Sequence, residues 1–144
     1  MNDLSRPASV DLVVDSSALL SIFLGEDTAA EMADLLLGSS GAVVCAPILL
    51  ESSMVALGRG GHEGLAALDE IVASGGIVTI PADQHLVGLA RMAFERFGTG
   101  RHPAGLNFGD CFSYALAQHF DVPLLCTGDD FARTDLVVVP GRAA

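Results

Sequence analysis

An α/β fold, with a mainly parallel sheet covered by helices on both faces, is predicted for this chain by three observations. Short apolar runs of strand length alternate with helix-patterned segments along the chain, the order that builds a parallel sheet. One run, AVVCA at 42–46, is apolar throughout, as a strand buried on both faces must be. Another, at 10–14, runs straight into Asp15 and then, through Ser16 and Ser17, into a second apolar segment. A carboxylate therefore stands where a strand gives way to a helix. In open α/β sheets that edge is where ligands bind.

The elements follow in order. Residues 10–15 read as the first strand and 17–24 as a short helix stopped near Gly25, with Ser16 or Ser17 able to cap it. Asp27 or Thr28 can cap a second helix that carries Ala29, Met32, Ala33, Leu36 and Leu37 on one face. Residues 38–41 are a turn before the strand at 42–46. Pro47 suits the first turn of a third helix, which carries Glu51 and ends near the glycines at 58–61. A fourth helix at about 62–73 shows Leu65, Leu68, Ile71 and Val72 as its apolar side. A strand at 77–80 follows, and Asp83 caps a fifth helix to about Phe97. The Gly- and Pro-containing stretch 98–106 is a loop. Asn107 caps a sixth helix that carries Asp110 and runs to about Phe120. A strand at 122–126, the turn Thr127-Gly-Asp-Asp130, and a last apolar run at 136–139 complete the chain. Right-handed crossovers then restrict the topology.

At 144 residues, 51% of them hydrophobic and 17% charged, the chain suits one globular domain spanning 1–144. Every apolar run is broken well short of the ~18–20 residues of a membrane span. The start, MNDLSRPAS, lacks the basic and apolar regions of a secretory signal. Cys45, Cys111 and Cys126 have no metal-ligand spacing and read as reduced, buried thiols of a cytoplasmic protein. The net charge of −11, from 7 basic and 18 acidic residues, argues against a broad basic face for nucleic acid. It permits divalent cations and a basic protein partner. With no Trp and one Tyr, a stacking platform for single strands is not expected.

Four acids carry the chemistry. In a parallel sheet all strand ends face one way, so Asp15, Glu51 and the Asp129–Asp130 turn point toward one edge. Asp110 joins them only if its helix starts at that edge, which the loop before it leaves open. Each acid alone has an ordinary structural reading as a cap, a helix-dipole partner or a turn residue. Glu51, set among Leu49, Leu50, Met54 and Val55, would be expensive to bury unpaired. Gathered carboxylates repel unless protons or a cation intervene. An all-oxygen site suits Mg²⁺ or Mn²⁺ rather than Zn²⁺. Such an ion lowers the pKa of bound water and neutralises phosphate, the needs of phosphodiester hydrolysis. His62, His85, His102 and His119 form no ligand or triad pattern, and the glycine-rich pieces match no phosphate loop. A phosphoacceptor receiver domain also has acids at strand ends, but it needs a lysine and this chain has none. A non-catalytic acidic interaction module is the remaining alternative.

The segments VVDSSALLSIFLGE, APILLESSMVALGR and LNFGDCFSYALAQHFDVPLLCTGDDFARTDL, in that order, resemble the VapC-type PIN-domain ribonuclease toxins. The last segment is the most specific, and the resemblance covers essentially the whole chain. It implies a three-layer α/β/α sandwich with a mainly parallel sheet of about five strands. It also implies an Mg²⁺-dependent endoribonuclease, commonly homodimeric, that cuts tRNA or ribosomal RNA and is held inactive by a VapB-type antitoxin. The family's metal acids map onto Asp15 and Asp110, and its further acids onto Glu51 and one of Asp129 and Asp130, with Asp129 the first choice. Thr127 and Ser16 match polar residues that orient acids or water. The acidic charge is expected to be offset locally by Arg59, Arg91, Arg96, Arg101 and Arg133, and to suit capture by a basic antitoxin segment. A mean hydropathy of +0.51 leaves surplus apolar surface on the second to fourth helices for a protein partner.

Overall fold

Five parallel strands form one sheet in the order β3-β2-β1-β4-β5 in the computed structural model, which describes residues 9–141. The stretch 1–8, expected to carry no secretory signal, lies outside the described residues. The central strand β1 (Leu12–Val14) has no polar residue and is buried along its length. It pairs with β2 (Ala42–Cys45) on one side and with β4 (Leu124–Leu125) on the other. The outer strands are β3 (Val78–Ile80) and β5 (Val138–Val139). Between them run α1 (Ser16–Leu24), α2 (Ala29–Leu37), α3 (Ala46–Ser74), α4 (Gln84–Phe97) and α5 (Phe108–Phe120).

The chain first winds outward, from β1 through α1 and α2 to β2, and through α3 to β3. It then returns through α4 and α5 to the other side of β1. Right-handed crossovers put the first three helices on one face and the last two on the other. The packing agrees: α1 lies on α2 and α3, and α4 lies on α5. The result is the three-layer α/β/α architecture expected from the sequence. The winding direction reverses between β1 and β4, so the crevice for a ligand opens at their carboxyl ends. Asp15 immediately follows β1, and the 127–130 turn follows β4.

Several boundaries differ from the sequence reading, for local reasons. Residues 46–74 carry one continuous helical assignment where two helices were expected, but Gly61, at φ 61° and ψ −149°, breaks it into two arms. That left-handed φ is what a glycine supplies without strain. Asp15, rather than Ser16 or Ser17, caps α1 by accepting from the Ser17 N–H at 3.1 Å. Thr28 stands at the cap of α2 without a side-chain capping bond, because its hydroxyl pairs with that of buried Ser21 at 2.6 Å. The strands shrink to the two to four residues that hold ladder bonds.

The loop at 98–106 is closed rather than open. The Leu106 N–H donates to the Phe97 carbonyl at 2.9 Å, and the Thr99 N–H donates back to the Leu106 carbonyl at 3.0 Å. Leu106 and Ala104 are buried beneath it, and the ring of His102 packs edge-on against Phe97 at 4.9 Å. Arg101 Nε donates to the Glu95 carbonyl and Arg133 Nη1 to the Pro103 carbonyl, both at 3.2 Å. This closure returns the chain to the sheet's ligand edge, where α5 begins.

A second tie secures the last strand. Tyr114, buried in α5, donates its hydroxyl to Asp135 Oδ1 at 2.5 Å, and Arg96 Nη2 lies 3.4 Å from Asp135 Oδ2. Burial, with this hydrogen bond, pushes the Tyr114 hydroxyl up to about 12. Replacing Tyr114 by Phe leaves a half-exposed carboxylate short of one donor, and is expected to lower unfolding free energy by about 1 kcal/mol. A shift of the urea midpoint with unchanged slope checks this; an unchanged midpoint refutes it.

Candidate active site

The site assembles at the β1–β4 reversal. Asp15 is only 3% exposed, and among the described residues no other acid is as deeply buried. Its backbone N–H donates to the Leu125 carbonyl at 3.0 Å, which registers it against β4. Its carboxylate takes two donors: the Ser17 N–H on Oδ2, and the hydroxyl of Ser113 on Oδ1 at 2.5 Å. Ser113 lies in α5, three residues after Asp110, and is fully buried.

Asp110 sits in the first turn of α5, inside a reciprocal capping box. Its N–H donates to Asn107 Oδ1 at 2.9 Å, and its own Oδ2 accepts from the Asn107 N–H at 3.0 Å. The loop therefore delivers the helix start to the correct edge, which the sequence had left undecided. Burial pushes the Asp110 carboxyl up to about 6. The Asn107 N–H opposes that shift, and the charges of Asp15, Asp130 and Glu51 reinforce it. All of these acids are thus within electrostatic reach of one another.

Glu51 departs from the expectation of a costly burial. It is exposed in the second turn of α3, and Ser16 donates its hydroxyl to Glu51 Oε1 at 2.7 Å. Its carboxylate leans over the backbone of α5: a Cβ added at Gly109 would stand 2.6 Å from Glu51 Oε2. The absence of a side chain at 109 leaves the Glu51 carboxylate room to rest against the start of α5. From the turn after β4, the charge of Asp130 acts on Asp110, and Asp129 lies exposed beside Asp130. Phe131, buried in a 3-10 turn at Phe131–Arg133, anchors the segment that presents Asp130. Thr127 contributes through its backbone, donating its N–H to Ser17 Oγ at 3.0 Å. It also lines a groove with Glu26, Asp27 and Thr28.

The acids surround a space rather than form a closed cage; among the described residues no three His, Cys, Asp or Glu side chains stand close enough to be a preformed metal cluster. The donor set nevertheless suits a hard cation that keeps several waters and takes one or two carboxylates directly. Every donor is oxygen, Asp15 is held rigidly, and the like charges about Asp110 would be relieved by a cation.

Ser113 and Gly109 were not picked out in the sequence. The visible signal was a polar residue three positions after Asp110 in an otherwise apolar helix, together with a glycine beside the acid. Three of the five arginines expected around the site are engaged elsewhere: Arg96 with Asp135, and Arg101 and Arg133 with loop carbonyls. Arg59 and Arg91 are exposed. His85 packs against His119 with ring centroids 5.3 Å apart, and His102 Nδ1 accepts from the Ala104 N–H.

A parallel sheet in this order with acids gathered at its reversal point defines a PIN-type domain, and the family model described as PIN domain matches residues 12–136. The chain is 41% identical over 124 residues to the ribonuclease VapC28 of Mycobacterium tuberculosis, covering 85% of this chain and 93% of that protein. It is 36% identical over 128 residues to a ribonuclease VapC of Mycolicibacterium smegmatis, covering 89% and 99%. The chain belongs to the VapC ribonucleases of the PIN-domain family. Among solved structures, Mycobacterium tuberculosis VapC20, a sarcin-ricin loop cleaving toxin, shares the fold with a TM-score of 0.72 at 18% identity, covering 88% of this chain and 97% of that one. DNA-bound VapBC from Salmonella typhimurium gives 0.67 at 15% identity, covering 90% and 96%. PIN-domain VapC ribonucleases are generally dependent on a divalent metal.

The raised Asp110 carboxyl has a consequence for metal-free protein. A group that binds its proton more tightly when folded favours folding below its ordinary value, and loses that advantage as pH rises through the folded one. Unfolding temperature in EDTA is therefore expected to fall as pH rises from about 4 to about 6. Asp110→Asn should flatten that part of the profile. A profile unchanged by the substitution refutes the electrostatic picture of the site.

Proposed function

We propose that this chain is an Mg²⁺-dependent endoribonuclease, with Mn²⁺ able to replace Mg²⁺, that acts as the toxin of a VapB–VapC pair. The carrying observation is that Asp15, from the central strand, and Asp110, from a distant helix start, meet at the sheet's reversal point with Asp110 held up to about 6.

Asp15 and Asp110 would hold the metal. When bound, it neutralises phosphate charge and acidifies a water ligand. Asp15 is kept in one orientation by its cap bond to Ser17 and by the Ser113 hydroxyl. Glu51, steadied by Ser16, is placed to accept a proton from the attacking water. One aspartate of the 127–130 turn, Asp129 or Asp130, would contribute to water or metal orientation, and the charge of Asp130 reaches Asp110. Thr127 and Ser17 hold that turn against α1.

We infer that the substrate is structured RNA of the tRNA or ribosomal class. Cleavage of the sarcin-ricin loop by a protein of the same fold supports that class. Exposed apolar residues support two protein contacts, with the antitoxin and with a second copy. Leu37, Leu50, Met54 and Leu57 lie on α2 and α3, and Val87, Met92, Phe94 and Phe108 on α4 and α5. Among the described residues no helix is long and apolar enough to cross a membrane. Three buried free cysteines support a reducing, cytoplasmic setting. We take residues 1–144 as one domain.

Antitoxin-free protein incubated with total cellular RNA is expected to give discrete fragments with Mg²⁺ or Mn²⁺ and none with EDTA. Asp15→Asn and Asp110→Asn should each lower the rate by at least about 100-fold, given the several kcal/mol a catalytic metal supplies. Metal-independent fragments, or full activity in either variant, would overturn the reading.

A further inference from the structure

We propose that Ser113 is a positioning residue of the nuclease site, its hydroxyl fixing the Asp15 carboxylate at the spacing from Asp110 that a shared divalent cation requires. The inference rests on the metal-site reading above and extends it to a residue outside the acid cluster.

The first observation is where the hydroxyl goes. A serine within a helix ordinarily donates back to the carbonyl four residues earlier. Ser52 and Ser53 do this in α3, bonding the carbonyls of Ile48 at 2.9 Å and Leu49 at 2.7 Å. Ser113, as fully buried as Ser52, donates instead to Asp15 Oδ1 at 2.5 Å, 98 positions away in sequence. An ionised carboxylate only accepts, so the serine supplies the proton.

A second observation is what remains on the carboxylate. Asp11, at the other end of β1, has both oxygens filled: Oδ1 accepts from Ser39 Oγ and the Gly41 N–H, and Oδ2 from the Ser40 N–H and Oγ. Those donors, the Ser40 N–H foremost, hold its carboxyl down to about 2. Such a carboxylate is a tie between strand and turn with nothing left to offer. Among the described residues Asp15 accepts the Ser17 N–H on one oxygen and the Ser113 hydroxyl on the other, fewer donors than Asp11 carries, which leaves lone pairs for a further partner. Donors from two elements, α1 and α5, fix the rotation of the group and leave its outer lone pairs available.

The third observation is the shared helix. Asp110 and Ser113 are three residues apart in α5, hence neighbours along one face. The helix that carries one metal acid therefore also sets the other, and any displacement of α5 moves both together. A cation that takes only one or two carboxylates directly depends on such fixed spacing.

The test compares Ser113→Ala, Ser113→Cys and, as a buried-serine control outside the site, Ser52→Ala. Binding of MnCl₂ to RNA-free protein is followed by calorimetry, with melting temperature and RNA cleavage measured in parallel. Ser113→Ala is expected to bind Mn²⁺ about tenfold more weakly, in line with the loss of outer-sphere partners at metal sites. Its kcat should fall by a similar factor while KM for RNA stays unchanged. Ser113→Cys, with a weak donor, should lie between it and the wild type. Ser52→Ala should alter melting temperature without altering Mn²⁺ affinity. Wild-type Mn²⁺ affinity and kcat in folded Ser113→Ala would overturn the proposal, as would equal losses of affinity in Ser113→Ala and Ser52→Ala. If Asp110→Asn itself binds Mn²⁺ like the wild type, the metal-site reading fails, an outcome separable from failure of Ser113 alone.

Discussion

Burial of the Asp15 carboxylate at the end of the central strand is the constraint on which the rest of the structure depends. β1 is apolar and enclosed on both faces, so the chain leaving it remains inside the protein when it reaches the acid. A buried carboxylate must be hydrogen-bonded. One donor comes from the helix that Asp15 itself caps, and the other from α5, which arrives only after the sheet has been wound in both directions. The bond to Ser113 therefore joins the earliest strand to a late helix across the β1–β4 reversal. Satisfying Asp15 and closing the two halves of the fold about it are one event.

The loop before α5 is the second determinant. Its ends are held by backbone bonds between Phe97, Thr99 and Leu106, and its interior by buried Leu106 and Ala104. Arg101 and Arg133 brace its outside through carbonyl contacts. The basic residues of so acidic a chain are in part structural. Coulomb repulsion from Asp15, Glu51 and Asp130 is the counterpart of that arrangement, and it adds to burial in raising the Asp110 carboxyl.

Glycine at 109 and phenylalanine at 131 show how small features aim the acids. A side chain at 109 would stand where the Glu51 carboxylate now lies, so glycine there leaves that carboxylate room against α5. Phe131 sinks into the core directly after the aspartate pair and so anchors the turn that carries it.

Much of this was legible in the amino-acid sequence, because it is set by local pattern. Apolar runs of strand length, the caps at Asp83 and Asn107, the break near Gly61 and the acid at the end of the first strand each depend on neighbours a few residues away. Parallel alternation then oriented three of the acids without further information. Tertiary structure alone decided the rest. Where α5 begins depends on how the 98–106 loop closes, and closure depends on burial of Leu106 against elements distant in sequence. That Glu51 is exposed and steadied by Ser16, that the charge of Asp130 reaches Asp110, and that Ser113 binds Asp15 all follow from contacts between segments 20 to 98 positions apart. Periodicity carries no record of such contacts, since a hydroxyl in an apolar helix reads the same whether it bonds its own backbone or a carboxylate on another element.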